Sequence, residues 1–136
     1  MDAKIRADFK TDLKIDLRAE DWRTTGLRSS TKKILERITQ KRYNPKIRYI
    51  LLFGSEARGE AVLTSDVDIA LVSDEPLTHS ERLEFKEIFD VRLFPEVNGL
   101  FPEINVINTL TADLATERFT DVSYHIKREG LVIYER

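Results

Sequence analysis

Five consecutive apolar residues, Tyr49-Ile50-Leu51-Leu52-Phe53, stop abruptly at Gly54-Ser55. A strand with one face in water shows a polar residue at every second position. A run that is apolar on both faces has to be covered on both sides. Residues 47–53 are therefore predicted to form a central strand, with packed layers above and below it. The flanking patterns supply candidates for those layers. Ser30 can cap a helix in which Ile34, Leu35 and Ile38 share one face, and Asn44-Pro45 is expected to end it. After the central strand, a loop or short helix spans roughly 55–64. Asp66 to Val72 reads as a second strand, with Val67, Ile69 and Leu71 on one face and Asp66 and Asp68 on the other. Thr78-His79-Ser80-Glu81 spells a capping box. It opens a helix to about Asp90 that buries Phe85, Ile88 and Phe89.

Pro95 and Asn98-Gly99 mark a turn, and Glu103 to Asn108 reads as a third strand. Leu114, Ala115, Phe119, Val122 and Ile126 suit one helix or two short ones, with Gly130 as a C-terminal cap. Leu131 to Tyr134 reads as a short strand or an extended tail. Strands alternating with helices give an α/β (α+β) layer fold with a small sheet. The first thirty residues fit less simply. Ile5, Phe9 and Leu13 sit at helical spacing, whereas Leu13, Ile15 and Leu17 alternate like a strand. Residues 1–30 are read as an N-terminal extension packed on the domain and anchored by Trp22 and Phe9. Residues 31–136 are read as the domain itself.

Composition narrows the chemistry. At 136 residues the chain has room for one core. It contains no cysteine, which excludes thiol chemistry, disulfides and Cys-ligated zinc. His79 and His125 are too few and too far apart for a multi-histidine metal site. His79 reads as part of a helix cap region and His125 as part of a half-exposed helix face. Tyr43, Tyr49, Tyr124 and Tyr134 read as packing residues, and Lys32-Lys33 and Lys41-Arg42 as a solvated helix face. The 24 acidic residues against 22 basic ones give a net charge of −2, which disfavours a nucleic-acid partner. No stretch approaches the roughly 20 apolar residues that cross a bilayer, and the N-terminus has no apolar signal core. A cytoplasmic protein without a membrane partner is the expectation. What remains for chemistry is carboxylates, hydroxyls, amides, backbone groups, Lys and Arg.

One segment combines these. Gly54-Ser55 is followed after ten residues by Asp66-Val67-Asp68. Two carboxylates two apart on a strand project from one face, about 6–7 Å apart at the backbone. Their oxygens can converge on a divalent ion, and Mg²⁺ favours one or two carboxylates plus substrate phosphates and water. Gly54 lets a ligand approach the backbone as the strand ends. Ser55 can offer its hydroxyl and N–H to a phosphate, and Arg58, one turn on, can add positive charge. A phosphate-gripping turn opposite a metal-gripping strand suits phosphoryl or nucleotidyl transfer. A Gly-Ser alone is usually a turn, and an Asp-x-Asp alone is often a solvated edge. The combination, fed by a buried strand, is far more specific.

The stretch LLFGSEARGEAVLTSDVDIALV (51–72) resembles, almost position by position, the signature of the minimal nucleotidyltransferases of the DNA polymerase beta superfamily. The ending IKREGLVIYER is similar to the close of these small domains, and the likeness covers about residues 31–136. The resemblance implies a small mixed sheet flanked by helices. It implies that Asp66 and Asp68 hold Mg²⁺ (or Mn²⁺) against a nucleoside triphosphate, and that Gly54 and Ser55 bind the β and γ phosphates. A nucleoside monophosphate, most often AMP from ATP, would move to an acceptor hydroxyl. Free-standing domains of this kind are commonly paired with a small helical HEPN protein as toxin and antitoxin, the antitoxin attaching AMP to a tyrosine of the toxin.

The chain departs from the pattern at one place. A third carboxylate is expected on the next strand between apolar residues, and Asn105, between Ile104 and Val106, stands there. Asparagine hydrogen-bonds but cannot take a proton from an attacking hydroxyl. Glu103 lies on the same face one pleat repeat away and is the candidate substitute. Two readings follow: an active nucleotidyltransferase, or a degenerate domain that binds nucleotide or a partner without turnover. Antibiotic modification fits less well, because 136 residues leave little room for an acceptor domain. RNA tailing is disfavoured by the charge balance.

Overall fold

The structure is a computed structural model and describes residues 17, 20–62, 64–88, 103–115 and 121–136. The apolar run forms strand β1 (Ile47–Phe53). It lies between β2 (Val67–Ser73) and β4 (Leu131–Glu135) and runs antiparallel to both. β3 (Ile104–Leu110) joins the far side of β2 in parallel, so the order is β3-β2-β1-β4 and the sheet is mixed. The ambiguous 131–134 segment is thus a strand, and it supplies the second neighbour that makes β1 central.

Both faces of β1 are covered. Ile50 and Leu52 join Val67, Ile69 and Leu71 of β2 on one side. They pack against Ile34, Leu35 and Ile38 of α1 (Ser29–Thr39) and Phe85 of α2 (His79–Ile88). Trp22, in a short 3₁₀ turn over Trp22–Thr24, and Leu27 complete that core. On the other side Tyr49, Leu51, Ala70 and Val72 pack with Leu114 of α3 (Thr111–Ala115) and Ile126 of α4 (Asp121–Glu129). Each fully buried Leu or Ile here contributes about 1.5–3 kcal/mol.

Local details sharpen several sequence expectations. The capping box forms as spelled. The Glu81 N–H donates to Thr78 Oγ1 at 3.2 Å, and the Thr78 N–H donates to Glu81 Oε1 at 2.9 Å. Thr111–Ala115 and Asp121–Glu129 are helical, within the span read as one helix or two short ones. Ser30, by contrast, does not cap α1. Arg28 occupies the N-cap position and makes no side-chain cap bond. The helix start is served instead by the Glu56 carboxylate, which accepts from the Thr31 hydroxyl and favours the positive end of the helix. α1 also ends at Thr39, short of Asn44-Pro45. Tyr43 turns back there, its hydroxyl donating to the Ile38 carbonyl at 2.6 Å and its ring meeting Phe85 and Tyr134. Asn44 instead shapes the turn into β1, its Oδ1 accepting from the Lys46 N–H at 2.9 Å.

Gly130 follows α4 without a left-handed φ. Its N–H donates to the Ile126 carbonyl at 2.8 Å, and a Cβ would stand 2.5 Å from that oxygen. Close approach, rather than backbone freedom, selects glycine at this position. The expectations for Phe9, for residues 5–15, for Phe89 and Phe119, for the turn at Pro95 and Asn98-Gly99, and for the side chains of Ile88 and Val122 lie outside the described residues. Among the described residues no helix is long and apolar enough to cross a membrane.

Candidate active site

Strand pairing brings the sequence-predicted residues to one end of the sheet. β1 ends at Phe53, which stands opposite Asp68 of the antiparallel β2. β3 starts beside the start of β2, with Asp68 opposite Asn105 and the Val67 N–H donating to the Glu103 carbonyl at 2.8 Å. The end of one strand and the beginnings of two others therefore meet, carrying Gly54, Asp66, Asp68 and Asn105. Parallel register keeps Asp68 and Asn105 on the same face. This is the face that Ala70 and Val72 share further along β2.

Gly54 is required twice over. Its φ is +79°, in the left-handed region. A Cβ on it would stand 2.2 Å from Asp68 Oδ2. Any other residue would displace the carboxylate, so Gly54 makes the space that Asp68 fills. Asp68 is half-buried, while Asp66, just ahead of the strand, is exposed. The Asn105 amide nitrogen stands 3.2 Å from Asp66 Oδ2 and 3.2 Å from Asp68 Oδ1. Its two N–H groups can thus serve one carboxylate each. The two carboxylates meet at the Asn105 amide nitrogen, an uncharged donor that they share. Glu103 sits at the start of β3 with an exposed side chain. Asp66 and Asp68 are the residues that could hold a divalent cation. Two convergent carboxylates at a partly open edge suit Mg²⁺, which keeps water and phosphate oxygens in its shell. Among the described residues no group of three His, Cys, Asp or Glu gathers to form a metal cage.

The turn after Gly54 is tightly closed. The Arg58 N–H donates to the Gly54 carbonyl at 3.1 Å, Gly59 N–H to Glu56 at 3.1 Å, and Glu60 N–H to Ser55 at 2.9 Å. Ser55, half-buried, follows Gly54 directly at the site. Arg58 points elsewhere. Its guanidinium bonds Glu60 at 3.0 Å and both Glu129 oxygens at 3.1 and 3.2 Å. The hydrogen bond to Glu60, aided by the Glu129 charge, pushes its pKa up. It would have to leave Glu129 to meet a phosphate.

Sequence reasoning missed Glu56 and Arg28. Glu56 lies inside the motif yet is only 2% exposed. Arg28 Nε donates to Glu56 Oε1 at 2.7 Å, and Arg28 Nη1 donates to the Val62 carbonyl at 3.0 Å. The pair is separated by 28 residues, and no local pattern marks it. Of the histidines, His79 is the exposed first residue of α2, and His125 is exposed on α4 with its Nδ1 3.6 Å from Glu129.

Among solved structures the chain is similar to a toxin–antitoxin with AMP-PNP, at 20% identity and TM-score 0.48 over 79% of this chain and 72% of that one. It is also similar to a mutant of the toxin–antitoxin MntA-HpeT, at 18% identity and TM-score 0.47 over 80% and 75%. A nucleotidyltransferase from Sulfolobus solfataricus is similar at 19% identity and TM-score 0.44 over 79% and 78%. No curated protein matches it. The family model Polymerase beta, Nucleotidyltransferase matches residues 32–136, a span that holds the Gly54 turn, both aspartates and Asn105, and on that match the chain belongs to the polymerase beta nucleotidyltransferase family.

Proposed function

We propose that the protein is a Mg²⁺-dependent nucleotidyltransferase that moves AMP from ATP to an acceptor hydroxyl, and that the acceptor is carried by a small helical HEPN protein. The observation that supports this best is the convergence of Asp66 and Asp68 on one point, with Gly54 cleared of side chain beside them. In this reading Asp66 and Asp68 hold the cation. Mg²⁺ held there would supply charge neutralisation to the triphosphate. Gly54 and Ser55 take the β and γ phosphates, which leaves the α-phosphate to the acceptor. Positioning and charge neutralisation then supply most of the rate. The acceptor oxygen bonds to the α-phosphorus as the bond to the β-phosphate oxygen breaks, releasing pyrophosphate. The hydroxyl proton leaves to Glu103 or to water, because the Asn105 amide has no site to accept it.

That last feature favours a second reading, a domain that binds Mg²⁺–ATP or its partner without turnover. Incubation with ATP labelled at the α-phosphate, Mg²⁺ and the co-encoded HEPN protein separates the two. Label on the HEPN protein supports transfer. Nucleotide or partner binding with no label supports the binding module. A folded protein that binds neither sinks both.

A further inference from the structure

The β1–β2 connection carries Ser55 at its start and Asp66 at its end, and Arg28 is fastened to it at two places. Nε reaches the nearly inaccessible Glu56 carboxylate at 2.7 Å, and Nη1 reaches the Val62 carbonyl at 3.0 Å. The backbone N–H of Arg28 also approaches Glu56 Oε2 at 3.5 Å, and Thr31 donates to Oε1. Arg28 itself is anchored, because Leu27 before it and Trp22 lie in the main core. It stands ahead of the family-matched residues 32–136. A segment outside the shared domain thus closes on the loop that joins the phosphate-facing turn to the metal-facing aspartates.

We propose that Arg28 is a positioning residue for the nucleotide site, and that residues 20–28 form a clamp which sets the spacing between the Gly54-Ser55 turn and Asp66. The proposal rests on the nucleotide reading of that site. The chemistry is specific to arginine. Its planar fork serves two acceptors in different directions at once, which a single ammonium on a flexible stem cannot do in the same geometry. Keeping the Glu56 charge paired while losing the Val62 bond should therefore loosen the loop without unfolding the domain. Removing the charge altogether leaves Glu56 buried and unpaired, which is destabilising.

The test is Arg28→Lys in the full chain, with Ile38→Val as a control that weakens the core away from the loop. Titration with ATP and Mg²⁺ at a temperature where all three proteins are folded gives the affinities. Arg28→Lys should bind about tenfold more weakly, as displacement of a preorganised site does, and show faster amide hydrogen exchange at residues 56–62 with β1 and β2 unchanged. Ile38→Val should keep the wild-type affinity. Equal affinity in wild type and Arg28→Lys overturns the positioning role alone, as does a loss of affinity matched by Ile38→Val. Absence of Mg²⁺–ATP binding in wild type overturns the nucleotide reading and the clamp with it.

Discussion

Gly54 and Asp68 are a matched pair, and the match makes substitution at either one informative. In Gly54→Ala the new methyl meets Asp68 Oδ2 at 2.2 Å in a backbone with φ +79°. The backbone alone costs about 1–2 kcal/mol, and the carboxylate must also move. A lowered Tm together with lost Mg²⁺–ATP affinity is expected. Asn105 plays the complementary part. Its amide donates to both carboxylates without adding charge, which offsets part of their mutual repulsion. Asn105→Asp removes both donors and adds a third charge. The expected outcome is a Tm several degrees below wild type in EDTA, from a loss of about 1–3 kcal/mol, and recovered when Mg²⁺ or Mn²⁺ is added. Thermal melts with and without the ion read this directly. The residues of the site were legible at this scale because Gly54, Asp66 and Asp68 are close in sequence. Glu56 and Arg28 were not, because a buried ion pair 28 residues apart leaves no periodic trace.

At the scale of elements, the signals that worked had one physical cause each. β1 matches its expected span because an apolar run without a polar face has only one kind of place to go. The α2 capping box matches because both of its bonds are local. Lys41-Arg42-Tyr43 carries no breaker, so the end of α1 at Thr39 is not marked in the sequence; there the Tyr43 hydroxyl meets the Ile38 carbonyl while its ring packs on Phe85 and Tyr134. Glu81 carries a further consequence. Its carboxylate accepts the Thr78 N–H and then Lys46 Nζ, and these hold its pKa down to about 2. A carboxylate depressed in the folded state contributes stability that is present above its ordinary value near 4.5 and lost as pH falls toward 2. Wild type should therefore exceed Glu81→Gln in Tm at neutral pH, and the gap should close between pH 4.5 and 2. A gap that is constant across that range would contradict the assignment.

At the scale of the molecule, the end of β1 and the starts of β2 and β3 meet to build the candidate site, while β4, from the end of the chain, makes β1 central. Composition and spacing indicated the layers and the Asp66–Asp68 pair. They did not indicate that β3 runs parallel to β2 while β4 runs antiparallel to β1, since edge position and strand direction depend on connections that no short window contains. Those directions place Asn105 against both aspartates. Trp22 and Leu27, ahead of α1, share the core that backs the sheet. The proposed function makes this junction a divalent-metal nucleotide site built on Asp66 and Asp68. Calorimetric titration of ATP into wild type and Asp68→Asn, each with Mg²⁺ and with EDTA, tests it most directly. Saturable binding by wild type is expected only with Mg²⁺, weakened more than about tenfold in Asp68→Asn. Binding that is indifferent to Mg²⁺, or unchanged in the variant, would contradict it.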